Sequence, residues 1–139
     1  MRPAVLIDTG PLVAILNAND RYHSWSVEQL KKIQGPLLTC EPVLSEAFFL
    51  MRTTGNGVEK LWDMLNRQGI KIHFSLAEEM EIIAKLMVKY ADQPMSLADA
   101  CLVRMSELCP GHQVFTLDSD FKLYRRGRNR SIPTISPAD

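Results

Sequence analysis

Four carboxylates, Asp8, Glu46, Asp99 and Asp118, are spread along the chain but fall where a fold could gather them. Gathered, they would crowd: at an effective dielectric of ~20, each pair ~5 Å apart repels by roughly 3 kcal/mol. They could not all stay ionised without a cation or bound protons. Oxygen-only ligands favour a hard divalent ion, magnesium or manganese, with room left for water and a substrate phosphate. The matching reaction class is hydrolysis of a phosphodiester by a metal-activated water. Nothing else in the chain competes for that role. His23, His73 and His112 follow no ligand spacing, no Ser-His-Asp or Cys-His arrangement is apparent, and Gly55 and Gly57 lack the Lys-Ser or Lys-Thr of a phosphate loop.

Three of the four acids also have a capping or turn role open to them, and Glu46 alone does not. Asp8 directly follows an apolar run and could cap a helix beginning near Pro11, with Thr9 beside it to offer a hydroxyl. On a helix opened by Pro42, the stripe Val43, Ala47, Leu50 and Thr54 puts Glu46 at its border, which predicts a carboxylate turned partly inward. Such a group needs a cation, either a metal or a side chain such as Arg52. Glu41 reads as a cap. Asp99 could complete a capping box with Ser96, and Asp118 could close an Asx-turn, where Asp120 competes with it as the functional acid. Its place directly after a strand favours Asp118.

The elements that must position these residues follow from the hydrophobic pattern. Short apolar runs predict strands over 4–7, 36–40, 70–74, 113–117 and 132–135. The segments between them read as helices: one from about Pro11, one from Asp20 to about Ile33, and one from Pro42 through Met51. Others run over 56–68, from Ser75 to about Tyr90, and from Ser96 to about Leu108. Alternation of this kind argues for an α/β fold with a parallel sheet covered on both faces, and ligands bind such sheets outside the carboxyl ends of the strands.

Bulk properties set the frame. The chain has 139 residues, 46% of them apolar, enough for one globular unit over 1–139. Its 16 basic residues balance 16 acidic ones, so a polyanion would have to be gripped locally. The three cysteines, Cys40, Cys101 and Cys109, lack zinc-type pairing and read as reduced, largely buried residues. The N-terminal apolar run is too short for a signal peptide or a membrane span, so the expectation is a soluble cytoplasmic protein.

Four stretches, taken in order, resemble the PIN-domain family, and in particular the VapC-type toxin ribonucleases of toxin-antitoxin pairs. They are Leu6-Ile7-Asp8-Thr9-Gly10-Pro11-Leu12, Ser45-Glu46-Ala47 with Arg52 behind it, Ser96-Leu97-Ala98-Asp99-Ala100, and Thr116-Leu117-Asp118-Ser119-Asp120-Phe121. The resemblance implies a PIN-like three-layer sandwich with strand order 3-2-1-4-5. It implies cleavage of single-stranded RNA with magnesium or manganese held by Asp8, Glu46, Asp99 and Asp118. Thr9 and Thr116 would be supporting hydroxyls and Asp120 a supporting acid. A homodimer and a small antitoxin that covers the site are implied as partners.

The run Arg125-Arg126-Gly127-Arg128-Asn129-Arg130 reads either as a solvated loop or as a phosphate grip. Arg52, Arg125, Arg126 and Arg128 are the candidate RNA contacts. Trp25, Trp62 and Tyr22 are expected in core or dimer contacts before base stacking. Two other functions stay in view. A phospho-acceptor signalling domain would need extra acids beside the acceptor and a lysine after the last strand, which 133–137 does not supply; aspartate-based phosphatases fail at Gly10, two residues past Asp8. A PIN-like binding scaffold without strong catalysis is suggested by the balanced charge and the apolar helices between Pro42 and Gln68.

Overall fold

A computed structural model describes residues 3–67 and 69–137. Its centre is β1 (Val5–Ile7), with every residue buried. Around it pair β2 (Leu37–Thr39) and β4 (Gln113–Phe115), both parallel, in registers that set Leu6 beside Leu38 and Val114. The edges are β3 (Lys71–Ile72) beside β2 and β7 (Thr134–Ile135) beside β4. The five-stranded order is β3-β2-β1-β4-β7, so with β7 as the fifth strand of this sheet the expected 3-2-1-4-5 topology is present. Central strands buried on both faces can be apolar throughout, whereas the two edges are only two residues long, which limits unpaired backbone.

Among the described residues six α-helices cover the sheet: α1 (Thr9–Leu16), α2 (His23–Lys32), α3 (Glu41–Met51), α4 (Gly57–Arg67), α5 (Leu76–Lys89) and α6 (Leu97–Leu108). The expected helices are all present, with shifted ends. α1 opens at Thr9, so Pro11 stands within its first turn, where a missing N–H is harmless. α2 starts three residues after Asp20, whose carboxylate instead accepts from the Tyr22 amide and forms a turn. Glu41 is the first residue of α3 and Cys40 its N-cap, so Glu41 is no cap. The expected end of α4 at Gln68 lies outside the described residues. Gly57 opens α4 because a Cβ there would sit 2.0 Å from the Met51 carbonyl oxygen. No other residue type fits that turn without moving backbone.

One contiguous core joins the sheet to α1, α3, α4, α5 and α6. α6 is buried nearly all round, as its composition requires. Trp25 packs edge-on against Phe115, and Trp62 packs at a tilt against Phe48 near the surface. The three cysteines are free thiols, with Cys40 and Cys101 buried. Among the described residues no helix is long and apolar enough to cross a membrane. One element was not expected: β5 (Arg125–Arg126) and β6 (Arg130–Ser131) pair antiparallel, making the arginine run a small hairpin.

Candidate active site

The carboxyl ends of β1 and β4 lie side by side, with the Asp8 amide donating to the Phe115 carbonyl (2.9 Å). Asp8 and Asp118 therefore leave the sheet at the same edge. The starts of α1 and α6 and the second turn of α3 reach that edge too. The resulting open cleft, about 410 Å³, is lined by Asp8, Thr9, Gly10, Glu46, Ser96, Asp99, Leu117 and Asp118. All four carboxylates singled out in the sequence line it.

A hydrogen-bond relay holds them. Asp8 caps α1, its Oδ1 accepting from the Thr9 amide (2.7 Å), while its Oδ2 accepts from the buried Thr116 hydroxyl (2.7 Å). The same Thr116 oxygen accepts from the Asp118 amide (2.9 Å), so one side chain ties both strand-end acids together. The Thr9 hydroxyl donates to Glu46 Oε2 (3.0 Å) and is also 3.3 Å from the Val43 carbonyl. Asp99 and Ser96 form a reciprocal capping box, each side chain accepting from the other's amide at 3.0 Å. Asp118 Oδ1 accepts from the Asp120 amide (2.8 Å) and caps a 3-10 turn, Ser119–Lys122. The capping and turn roles open to Asp8, Asp99 and Asp118 are thus filled, and the same three residues face the cleft.

Glu46 departs from expectation. Leu50 is 50% exposed and the buried stripe of α3 is Val43, Leu44, Ala47 and Met51, so Glu46 lies exposed at the cleft rim rather than turned inward. It therefore carries no desolvation demand for a cation. Arg52 does not meet it either, since its guanidinium lies 3.9 Å from the centroid of Phe49 and donates to the Phe49 carbonyl.

Electrostatics link the acids. Burial first, with the charges of Asp99 and Asp118 adding, pushes the Asp8 carboxyl up to about 7, against the opposing hydrogen bonds from Thr116 and Thr9. Burial likewise raises Asp99, and Asp118 and Glu46 push the same way. Asp120 is raised by burial and then by Asp118, but it does not line the cleft. Tyr124 was missed in the sequence. Fully buried, it points its hydroxyl at Asp99 Oδ2 (3.4 Å), and burial with the neighbouring acids holds its own proton on more tightly. A tyrosine behind an arginine run gives no sequence signal of that contact.

The donor chemistry suits a hard divalent cation: carboxylate oxygens from four elements, felt by one another, with Asp99 Oδ1 and Glu46 Oε1 accepting no hydrogen bond among the described residues. The geometry is looser than a finished cage. Among the described residues, no group of three or more Asp, Glu, His or Cys side chains is arranged so that it could hold a metal ion. Each acid spends an oxygen on its own cap or on a hydroxyl, which aims the carboxylates at the cleft without bringing three to one point.

A second cleft of about 410 Å³ lies between the sheet, α5 and the end of α6, lined mostly by apolar side chains such as Leu6, Leu38, Phe74 and Met105. Its Glu79 is already paired with Arg104 (2.9 Å). The arginines of the hairpin stand apart from the acidic cleft: Arg125 donates to the carbonyls of Lys122 and Tyr124, and Arg126 to that of Ser106.

No family model and no curated protein matches the sequence. Solved structures do match the fold. VapC20 of Mycobacterium tuberculosis, described as a toxin that cleaves the sarcin-ricin loop, superposes with a TM-score of 0.76 at 17% identity, covering 86% of this chain and 93% of that one. VapBC2 of Rickettsia felis, solved bound to a DNA fragment from its promoter, gives a TM-score of 0.65 at 16% identity, covering 96% of this chain and 98% of the other. The chain therefore has the PIN-like α/β sandwich, a central parallel sheet flanked by helices, that these structures share.

Proposed function

We propose that this protein is a divalent-cation-dependent endoribonuclease acting on single-stranded RNA, and the toxin of a toxin-antitoxin pair. The observation that carries the reading is the arrival of Asp8, Glu46, Asp99 and Asp118, from four separate elements, in one open cleft at the carboxyl edge of the sheet. The structures with the same fold, one of them described as a toxin that cleaves the sarcin-ricin loop, support it.

Asp8, Glu46, Asp99 and Asp118 would hold magnesium or manganese. When bound, that ion supplies charge neutralisation at the scissile phosphate and makes water a better nucleophile. The chain's own residues do the rest. Thr116 fixes Asp8 and Asp118 relative to each other, and Thr9 sets the rotamer of Glu46. Without a bound cation Asp8, with its carboxyl near 7, holds a proton through much of the neutral range, so cation binding there would release it. Asp120 and Tyr124 support Asp118 and Asp99 from behind. The openness of the cleft suits a flexible strand better than a small molecule.

Exposed Phe49, Leu50 and Trp62 on α3 and α4 favour a homodimer or an antitoxin-covered form, and a cytoplasmic location fits that role. A second reading, a binding scaffold with weak catalysis, is favoured by the lack of a three-ligand metal set among the described residues. Incubation of the purified protein with total cellular RNA separates the two. Discrete cleavage that needs magnesium or manganese and disappears in Asp8→Asn and Asp99→Asn supports the nuclease; RNA binding that survives chelator without products supports the scaffold. Full cleavage by both variants would refute the site.

A further inference from the structure

The arginine run is two pairs with different jobs. Arg125 and Arg126 are half-buried and committed to carbonyls, Arg126 capping the end of α6 through Ser106 (3.0 Å). The hairpin is also fastened from the other side, because the Gly127 amide donates to Glu107 (2.7 Å). Arg128 and Arg130 are exposed and, among the described residues, make no hydrogen bond or ion pair.

The hairpin fixes the backbone from which these two side chains extend. Its tip turns through Gly127 and Asn129, both at positive φ (54° and 63°), which glycine and asparagine tolerate best. The register sets Arg126 directly opposite Arg130, a like-charge cross-strand pair that destabilises a ribbon unless an anion lies between. A groove of about 300 Å³ runs there, lined by Arg126, Gly127, Arg128, Arg130, Pro110 and Glu107. Glu107 is its only acid among the described residues, and its oxygens are taken by Arg104 and the Gly127 amide.

From these facts the geometry points to a phosphate-binding track for the RNA strand, formed by Arg128 and Arg130 and separate from the acidic cleft; it rests on the proposed nuclease reading. The favoured occupant is a nucleic-acid backbone because the hairpin is joined to the cleft through one residue. Tyr124, whose hydroxyl meets Asp99, immediately precedes Arg125. From Asp99 to Glu107, which lines the arginine groove, the helix rises about 12 Å, the length of between three and four stacked nucleotides. A strand reacting at the acids would reach the arginines with its flanking phosphates. An overall neutral protein with an acidic site needs such a local counter-charge.

The test is fluorescence anisotropy of a single-stranded RNA of about twelve nucleotides, long enough to span both places. Binding is measured across a salt series, in an Asp8→Asn background so that the strand stays intact. Two phosphate contacts contribute about 1.4 to the slope of log K against log salt. R128Q/R130Q should lower the slope by about that amount and weaken binding several-fold, with circular dichroism and melting unchanged. Lys85→Gln, a surface control in an exposed ion pair with Glu81, should keep the parent slope. An unchanged slope in R128Q/R130Q overturns the track while leaving the nuclease reading intact. No RNA binding by the parent overturns both. If R128Q/R130Q keeps the RNA slope but loses binding to polyglutamate, the hairpin serves an acidic polypeptide and the RNA assignment is overturned.

Discussion

At the start of α6, Asp99 shares a cleft with three other carboxylates, and each of the four gives an oxygen to a backbone amide or a hydroxyl. At the end of the same helix, the arginines of the β5–β6 hairpin divide, two tied to carbonyls and two without a hydrogen bond or ion pair among the described residues. Helix polarity accounts for part of the contrast, since amides at N-termini favour anions and carbonyls at C-termini favour cations. The rest is burial. Asp8 and Asp99 are sunk into the sheet edge, where burial first and then neighbouring charge raises their proton affinity, whereas Arg128 and Arg130 sit on a surface ribbon in contact with water. The difference teaches that the acidic end is preorganised and strained, and the basic end only partly anchored.

The contrast can be broken most forcefully at Asp8. Asp8→Asn should lower the rate of RNA cleavage by about 10³-fold, read as initial rates at saturating magnesium. The same variant should be more stable than the parent at pH 8. The sign follows from the raised carboxyl: folded Asp8 near 7 against an unfolded value near 3.8 stabilises the fold fully below about 4, and that stability is lost as pH rises to about 7. Urea melts should show the parent weakening by a few kcal/mol across this window and Asp8→Asn weakening less. A parent protein whose stability is flat from pH 4 to 7 would remove the claim of strain.

Thr116→Val tests the relay next. It deletes the donor to Asp8 and the acceptor for the Asp118 amide, and should cost about 1–3 kcal/mol in urea melts with a cleavage loss of about tenfold or more. On the basic side, Arg126→Gln should cost about 1–2 kcal/mol by freeing the Ser106 carbonyl, whereas Arg128→Gln should cost less than about 0.5 kcal/mol. Equal costs would mean the hairpin is not divided as described. Tyr124→Phe should cost only about 1 kcal/mol of stability, because its hydrogen bond to Asp99 is long at 3.4 Å.

The sheet was legible because its central strands are uninterrupted apolar runs and the helices between them carry ordinary start and stop signals. Strand-end position led to Asp8 and Asp118, and a place in the first turn of a nearly apolar helix to Asp99, whose alternative role in a capping box is also filled. Glu46 was reached by a wrong route: the predicted stripe included Leu50, which is exposed, and the residue matters for its place at the cleft rim. The hairpin was hidden because four arginines in six residues read as a loop, and pairing of such short strands depends on the tertiary contacts of Ser106 and Glu107. Tyr124 was equally hidden, since its partner lies 25 residues away.

The central claim is that these four acids form one cation site. Titration of manganese into the protein at pH 8, followed by calorimetry, tests it most directly. The account predicts binding by the parent that is weakened at least about tenfold, or 1.4 kcal/mol, in Asp8→Asn and again in Asp99→Asn. Binding of equal strength in all three proteins would contradict it.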